Sequence, residues 1–378
     1  MIPLYKPFMP EELPEMNAIL HSGALAYGKW GWEFEKSLEA YTGAPHVAVV
    51  NSFNAAVQIA LLTLGIGYDD EVITSPQSCL ASNMPILSVG AKAVWADIDP
   101  RTGTLSPDSV RKKLTAATKA IFHNHHCGYP GYIDEINTIG KEKGLPVIDD
   151  CIEAFGARYK GRALGSLDTD VTLFSFQTVR LPNTIDGGAV CFRDIELHEK
   201  ACKLRDLGVD RSTFRDDMGE ISPLSDVRQP GMGVTMNEVS SYIGCMQMRH
   251  IDSLLAIQRR NAQKWRSELT EEPFFQPLGR SETEPNYWVF GLLAKQGRID
   301  GIRHFRTHGY YASSVHLPNY NYSVFGNYEN DLPGVREFYE HYLACHAGGG
   351  LKNKFEYERK IDLAIRDRRT LRGPDDKR

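Results

Sequence analysis

The sequence contains no C-x-x-C pair. Its seven cysteines, at positions 79, 127, 151, 191, 202, 245 and 345, are odd in number and scattered, which argues against a disulfide framework and against a structural zinc site. Long apolar runs are also missing: the longest, from Ala55 to Ile66, is interrupted by Gln58 and is too short to cross a bilayer. At the N-terminus Lys6 is followed by Pro and Glu rather than an apolar stretch, unlike a secretory signal. The expectation is a cytoplasmic protein with reduced thiols and no membrane contact. No charge of one sign dominates: 43 basic and 48 acidic residues leave a formal charge of −5, which gives no global attraction to nucleic acid. Internal repeats and low-complexity segments are absent. No G-x-G-x-x-G follows the turn at 64–67, and there is no G-x-S-x-G, so dinucleotide-binding and serine-hydrolase signatures are lacking.

What is present is alternation. At roughly 150 residues per domain, 378 residues suggest two domains or a large core with an appendage. Strand-like runs at His46–Val50, Glu71–Thr74, Lys92–Ile98, Ala120–His125, Pro146–Asp150 and Asp170–Phe176 are separated by helical stretches, including Ala55–Leu64, Pro107–Ala117 and Ile133–Lys143. That order predicts an α/β fold with a mostly parallel sheet flanked by helices, whose ligands bind beyond the carboxyl ends of the strands. A helical region over Asn237–Leu269, punctuated near Asp252, leads into a smaller C-terminal α/β part with a strand at Trp288–Leu293 and a helix at Pro333–Ala344. The expected organisation is a large ligand-binding domain over 1–250, a small domain over 251–365 and a solvated, frayed tail over 366–378.

Polar residues cluster after three strands: Asn51–Asn54, Asp149–Asp150 and Ser175–Arg180. An acid at the end of a buried strand needs a cationic partner, and a protonated pyridine nitrogen would be one. The HNHH run at 123–126 invites a metal reading, but no carboxylate or thiolate set stands at motif spacing, and no metal is expected.

The segments VIDDCIEAFGARYKGRALGS (147–166) and LFSFQTVRLPNTIDGGAVCF (173–192) resemble the DegT/DnrJ family of sugar aminotransferases, which have the aspartate-aminotransferase fold and use pyridoxal phosphate (PLP). The resemblance extends through SGALAYGKWGWEFEKSLEAYTG (22–43), GAKAVWADIDPRTG (90–103), HHCGYPGYIDEI (125–136) and MNEVSSYIGCMQM (236–248), and more weakly through SSVHLPNYNYSVF (313–325). It implies that Asp150 pairs with the pyridine nitrogen, Glu153 lies near the ring hydroxyl, Ser175 bonds the phosphate, and His125 stands at a strand end near the cofactor as a candidate proton carrier.

The main departure is Arg180, which stands where relatives carry the lysine that tethers the cofactor and moves protons. A guanidinium, with a pKa of about 13.8, is neutral to the order of one part in a million at pH 7 and is a poor amine nucleophile and base. Phe53 and Asn54 replace the Gly-Thr of a Ser-Gly-Thr strand end, so Phe53 is expected to crowd the phosphate. Cys79 stands at the position of a stacking aromatic residue, Gln177 where an aromatic residue or His is common, and Gly233 where Asn or Lys reaches the phosphate of the neighbouring subunit. His316 faces the substrate from the C-terminal part or lies on a surface loop.

The resemblance and its departures lead to one expectation: an enzyme that holds PLP or pyridoxamine phosphate (PMP) noncovalently. It would act as a homodimer on a nucleotide-linked or amino sugar, in cell-surface polysaccharide or secondary-metabolite biosynthesis. The alternative is a noncatalytic homologue serving as dimer partner or small-molecule sensor.

Overall fold

In the computed structural model, residues 1–348 are described apart from 6, 270–272 and 327–331, together with 361 and 364. The expected tail over 366–378 lies outside the described residues. Seven strands form the main sheet in the order His46–Val50, Gly188–Phe192, Val171–Ser175, Val147–Asp150, Thr118–Asn124, Glu71–Thr74 and Lys92–Trp95. Gly188–Phe192 runs antiparallel to both neighbours, and the remaining pairings are parallel. The carboxyl ends of six strands therefore share one edge, where Asn51, Asp150 and Ser175 emerge.

The sheet is covered on both faces, and its central strands carry apolar side chains on each: Val47 to Val50, Ile121, Phe122, Leu173 and Phe174 are all buried. Helix starts follow local capping chemistry. Ser52 accepts a hydrogen bond from the Ala55 N–H at the start of Phe53–Thr63, Ser106 caps Pro107–Lys113, Asp194 caps Ile195–Leu204, and Asn237 caps Glu238–Met248. The start of Lys29–Thr42 is held from a distance instead, by the Glu238 carboxylate on the Trp30 and Gly31 N–H groups.

The expected elements shift at their ends. Residues 92–98 divide into Lys92–Trp95 and a short Ile98–Asp99 strand that pairs with Thr104–Leu105. The helix after Pro107 stops at Lys113, the long helical region breaks at Arg249–His250 rather than near Asp252, and the helix from Pro333 ends at His341, where the chain turns into the strand Tyr342–Cys345. That strand joins Phe275–Pro277 and Phe290–Ala294 in a second, three-stranded sheet. The first residues run with this C-terminal sheet: Ile2 bridges Tyr310 and packs with Trp265 and Phe290.

The helices Lys29–Thr42 and Glu238–Met248 approach closely at Gly244, where an added Cβ would lie 2.6 Å from the buried ring of Phe34. That ring is itself packed on Phe176, with 5.1 Å between centroids, and has no room to retreat. Gly244→Ala is expected to lower stability by about 1–3 kcal/mol, read as a lower urea midpoint; an unchanged midpoint would show that the contact yields.

Candidate active site

The strand register brings Asn124 opposite Asp150 and His123 opposite Asp149. Because side chains alternate along a strand, Asp149 and Asp150 point to opposite faces. On one face, Asp149 takes His123 Nδ1 at 2.8 Å and His125 Nε2 at 3.0 Å. The Gly131 N–H donates to His125 Nδ1 at 2.9 Å, so the proton of His125 sits on Nε2 and is given to Asp149. Burial alone would raise the Asp149 carboxyl, but His125 and His123 hold it below the usual carboxylate range. With both ring nitrogens engaged, His125 is a clamp between two strands, and the proton-carrier expectation for it fails on geometry. The same tautomer turns an N–H toward the carboxylate, where a metal ligand would need a lone pair.

On the other face, Asp150 is fully buried. Its Oδ1 accepts the Ile152 N–H at 2.9 Å, and its Oδ2 has no partner. Burial outweighs the Ser82 hydroxyl and the Ile152 N–H and, with further repulsion from Glu153 and Asp149, pushes its carboxyl up to about 7. Neighbouring polar atoms are also unpartnered, the Gln77 amide and Asn124 Oδ1, while the Ser82 hydroxyl faces the carboxylate without a close hydrogen bond. Buried polar groups normally find partners, so such a collection at a strand-end crevice is the signature of a ligand's place. A buried carboxylate oxygen without a hydrogen-bond partner fits the protonated nitrogen of a pyridine ring.

Ser175 lies directly opposite Gly188, which in turn faces Val50 across the next strand. A Cβ on Gly188 would meet the Ser52 carbonyl at 2.8 Å and Phe53 Cα at 3.0 Å. The glycine therefore allows the start of helix Phe53–Thr63 to press against the sheet beside the Ser175 hydroxyl, and a helix start with a nearby hydroxyl suits an anion. Phe53 points into the apolar core with Val50, Ala56 and Phe192, so the expected crowding is not what its side chain does. Asn54, Gln177 and Gly233 are exposed. Gln177 donates its N–H to Ser175 Oγ at 3.4 Å. Cys79 is the residue preceding helix Leu80–Ser88, and burial pushes its thiol up to about 11.

A third group gathers around Glu153. His316 Nε2 lies 2.8 Å from Oε1, the Cys127 N–H donates to Oε2 at 2.8 Å, and Arg180 Nη2 stands 3.4 Å from Oε1. Burial alone would raise the Glu153 carboxyl, but His316 and Arg180 hold it down at about 2. Arg180 is only 8% exposed, and its guanidinium lies over the ring of Trp288 at 4.1 Å. Tyr5 stacks on the same indole, and the indole N–H donates to the Val179 carbonyl. Nε and Nη1 of Arg180 have no partner. Asp150, Glu153, Ser175, Arg180 and His316 thus converge at one edge of the fold. Trp288, Tyr5, Gln77 and Ser82 were missed by sequence reasoning: Trp288 was read only as the start of a strand, and nothing in the N-terminal segment marks Tyr5.

Residues 8–354 match the model of the DegT/DnrJ/EryC1/StrS aminotransferase family. The chain belongs to this family. Solved structures of similar chains agree. AtS13 from Actinomadura melliaura is 30% identical with a TM-score of 0.89, covering 97% of this chain and 98% of its own. The sugar aminotransferase CalS13 from Micromonospora echinospora is 28% identical with a TM-score of 0.88, covering 96% and 99%. The aminotransferase TlmJ from Streptoalloteichus hindustanus is 27% identical with a TM-score of 0.87, covering 97% and 98%. The aminotransferase fold expected from the sequence is therefore the fold found. The family's cofactor is PLP, and the putative sugar aminotransferase Spr1654 from Streptococcus pneumoniae, at 23% and 22% identity a likeness of fold alone, is known in PMP and PLP forms.

Asp150 also gives the cofactor-free protein a pH signature. Its folded pKa of about 7 exceeds the ordinary 3.8, so between these values the folded chain holds a proton that the unfolded chain has released. This group's contribution to stability is undiminished below about pH 4 and falls as pH rises toward 7. Asp150→Asn should remove the decline: relative to wild type, the urea midpoint of the variant should rise between pH 4 and pH 8. A constant difference across that range would show that Asp150 titrates normally.

Proposed function

We propose that this chain is an enzyme acting on a nucleotide-linked or amino sugar, with PLP or PMP held noncovalently, in the cytoplasm and in the biosynthesis of cell-surface polysaccharides or secondary metabolites. The observation that carries this reading is the pairing of two features in one crevice. Asp150 offers a buried, unpartnered carboxylate oxygen, while the residue at the tether position is a guanidinium pinned between Glu153 and Trp288.

In this reading Asp150 meets the pyridine nitrogen, Ser175 and the start of helix Phe53–Thr63 meet the phosphate, and Glu153 orients the ring oxygen. When bound, the cofactor supplies an electron sink for a substrate carbanion. The protein's part is to hold charge in place. Asp150, ionised against a cation, keeps that sink protonated. Arg180 remains a fixed positive charge that neither adds covalently to an aldehyde nor gives up a proton near neutral pH. Trp288 and Tyr5 stack beside the Arg180 cation.

Two measurements test this. Titration of the protein with PMP, followed by absorbance, should show saturable binding, and Asp150→Ala should weaken it at least tenfold, as expected for loss of a charge-assisted hydrogen bond of about 1.5–3 kcal/mol. Borohydride treatment with PLP should leave residue 180 unmodified in wild type and label it in Arg180→Lys, read by peptide mass. No saturable PMP binding, or wild-type labelling at another lysine, would sink the noncovalent reading.

The family's two-subunit sites lead us to propose a homodimer. Leu207, Met218, Ile221, Leu224 and Val227 are all about half or more exposed on the segment following helix Ile195–Leu204, with Leu224 at 91%, which is unusual for a monomer surface. Light scattering should give twice the chain mass, and Ile221→Asp with Leu224→Asp should shift it toward the monomer. A noncatalytic homologue is the second reading. The exposed Gly233, where relatives reach a neighbour's phosphate, favours it, and a dimer that does not bind PMP would establish it.

A further inference from the structure

A pocket whose tether position holds arginine needs another group to move protons, and the candidates can be weighed side chain by side chain. His125 has both nitrogens engaged, by Asp149 and by the Gly131 N–H. His126 is buried among Phe338, Tyr342 and His316, and burial holds its imidazole down at about 3. The thiols of Cys79 and Cys127 and the phenol of Tyr5 are pushed up by burial. Among the described residues of the crevice, His316 alone combines an imidazole, a polarising carboxylate and some access: its side chain is 12% exposed, its Nε2 is taken by Glu153 at 2.8 Å, and its Nδ1 is the nitrogen left over.

The backbone supplies an independent observation. Val315, immediately before His316, has φ +62°, a left-handed conformation that a β-branched residue adopts only under strain. The Val315 N–H is fastened to Ser313 Oγ, and four residues on, Asn319 is buried and tied to Asn83 and to the Ser78 carbonyl. The loop is thus held on both sides of His316 in a conformation its sequence disfavours. Such strain gathers where a side chain must be aimed.

We propose that His316, backed by Glu153, is the proton-transfer group of this pocket, in the place that a lysine amine has in relatives. The inference rests on the cofactor reading above. Nδ1 would take a proton from a carbon acid conjugated to the bound ring: a C–H bond breaks, an N–H bond forms, and the electron pair stays with carbon and its electron sink. Glu153 balances the imidazolium and fixes its ring, and the proton returns from Nδ1 to close the cycle with no net oxidation. The groups facing His316 are Glu153, Arg180, His126 and Cys127. Arg180 keeps Glu153 ionised, so the carboxylate is always available to the imidazole.

The first measurement is independent of turnover. Diethyl pyrocarbonate should modify His316 in the cofactor-free protein, read by peptide mass, and PMP should protect it, while His125 and His126 stay unmodified. The second follows exchange of the C4′ hydrogen of bound PMP in deuterated water by NMR. His316→Gln should bind PMP within about twofold of wild type, which also certifies folding, and lose exchange a hundredfold or more. Added imidazole should restore part of the exchange in His316→Ala, a rescue that a merely structural histidine would not allow. Wild-type exchange in His316→Gln, absence of exchange in wild type, or PMP binding without protection of His316 would each overturn the proposal and leave the cofactor reading standing. Failure of the wild type to bind PMP would remove the cofactor reading itself, and this proposal with it.

Discussion

The structure of the crevice depends on one buried carboxylate, Glu153. Ionised groups in an apolar setting persist only when opposite charge and hydrogen bonds surround them. Glu153 gathers these from three places: the Cys127 backbone, His316 of the C-terminal part and Arg180 of the tether position. A lysine at 180 could lose its proton when desolvated and so be free to act as a nucleophile. An arginine cannot, and its planar cation instead finds Glu153 at its edge and the Trp288 face beneath it. At this position the side chain offers electrostatic rather than covalent chemistry.

Two carboxylates adjacent in sequence meet opposite fates because a strand alternates its faces. Asp149 is satisfied from within by two histidines and holds neighbouring strands together. Asp150 has a single backbone donor and an oxygen with none. The first has all its partners within the fold, whereas the second keeps an oxygen without one. That difference separates support from site more sharply than burial does, since both residues are wholly buried.

Much of the architecture was legible. Alternating apolar runs and helical stretches indicated a parallel sheet, and the polar residues after His46–Val50, Val147–Asp150 and Val171–Ser175 lie at its carboxyl edge as expected. Asp150, Ser175 and Arg180 could be singled out because the segments that hold them resemble the family's motifs. Element ends were less legible. The helix from Pro333 yields to a strand at Tyr342 because that segment pairs with Phe290–Ala294, a long-range contact that local propensity does not report. His125 was misread for a related reason: a strand-end histidine looks free until the Gly131 N–H and Asp149 are seen on its two nitrogens. Phe53 was misread because a large side chain at a phosphate-binding turn appears obstructive until its ring is found in the core.

By itself, the sequence determined the α/β alternation with its mostly parallel sheet and the acid at a buried strand end, since these follow from residue type and periodicity along the chain, while the reading of Arg180 rested on the resemblance to the family. Only the tertiary structure decided where the Arg180 cation rests, which histidine meets the Glu153 carboxylate and which of two neighbouring acids has an unpartnered oxygen. Those outcomes depend on side chains brought together from residues 5, 82, 153, 288 and 316. Distances between such residues are set by packing of the whole fold, and no local pattern encodes them.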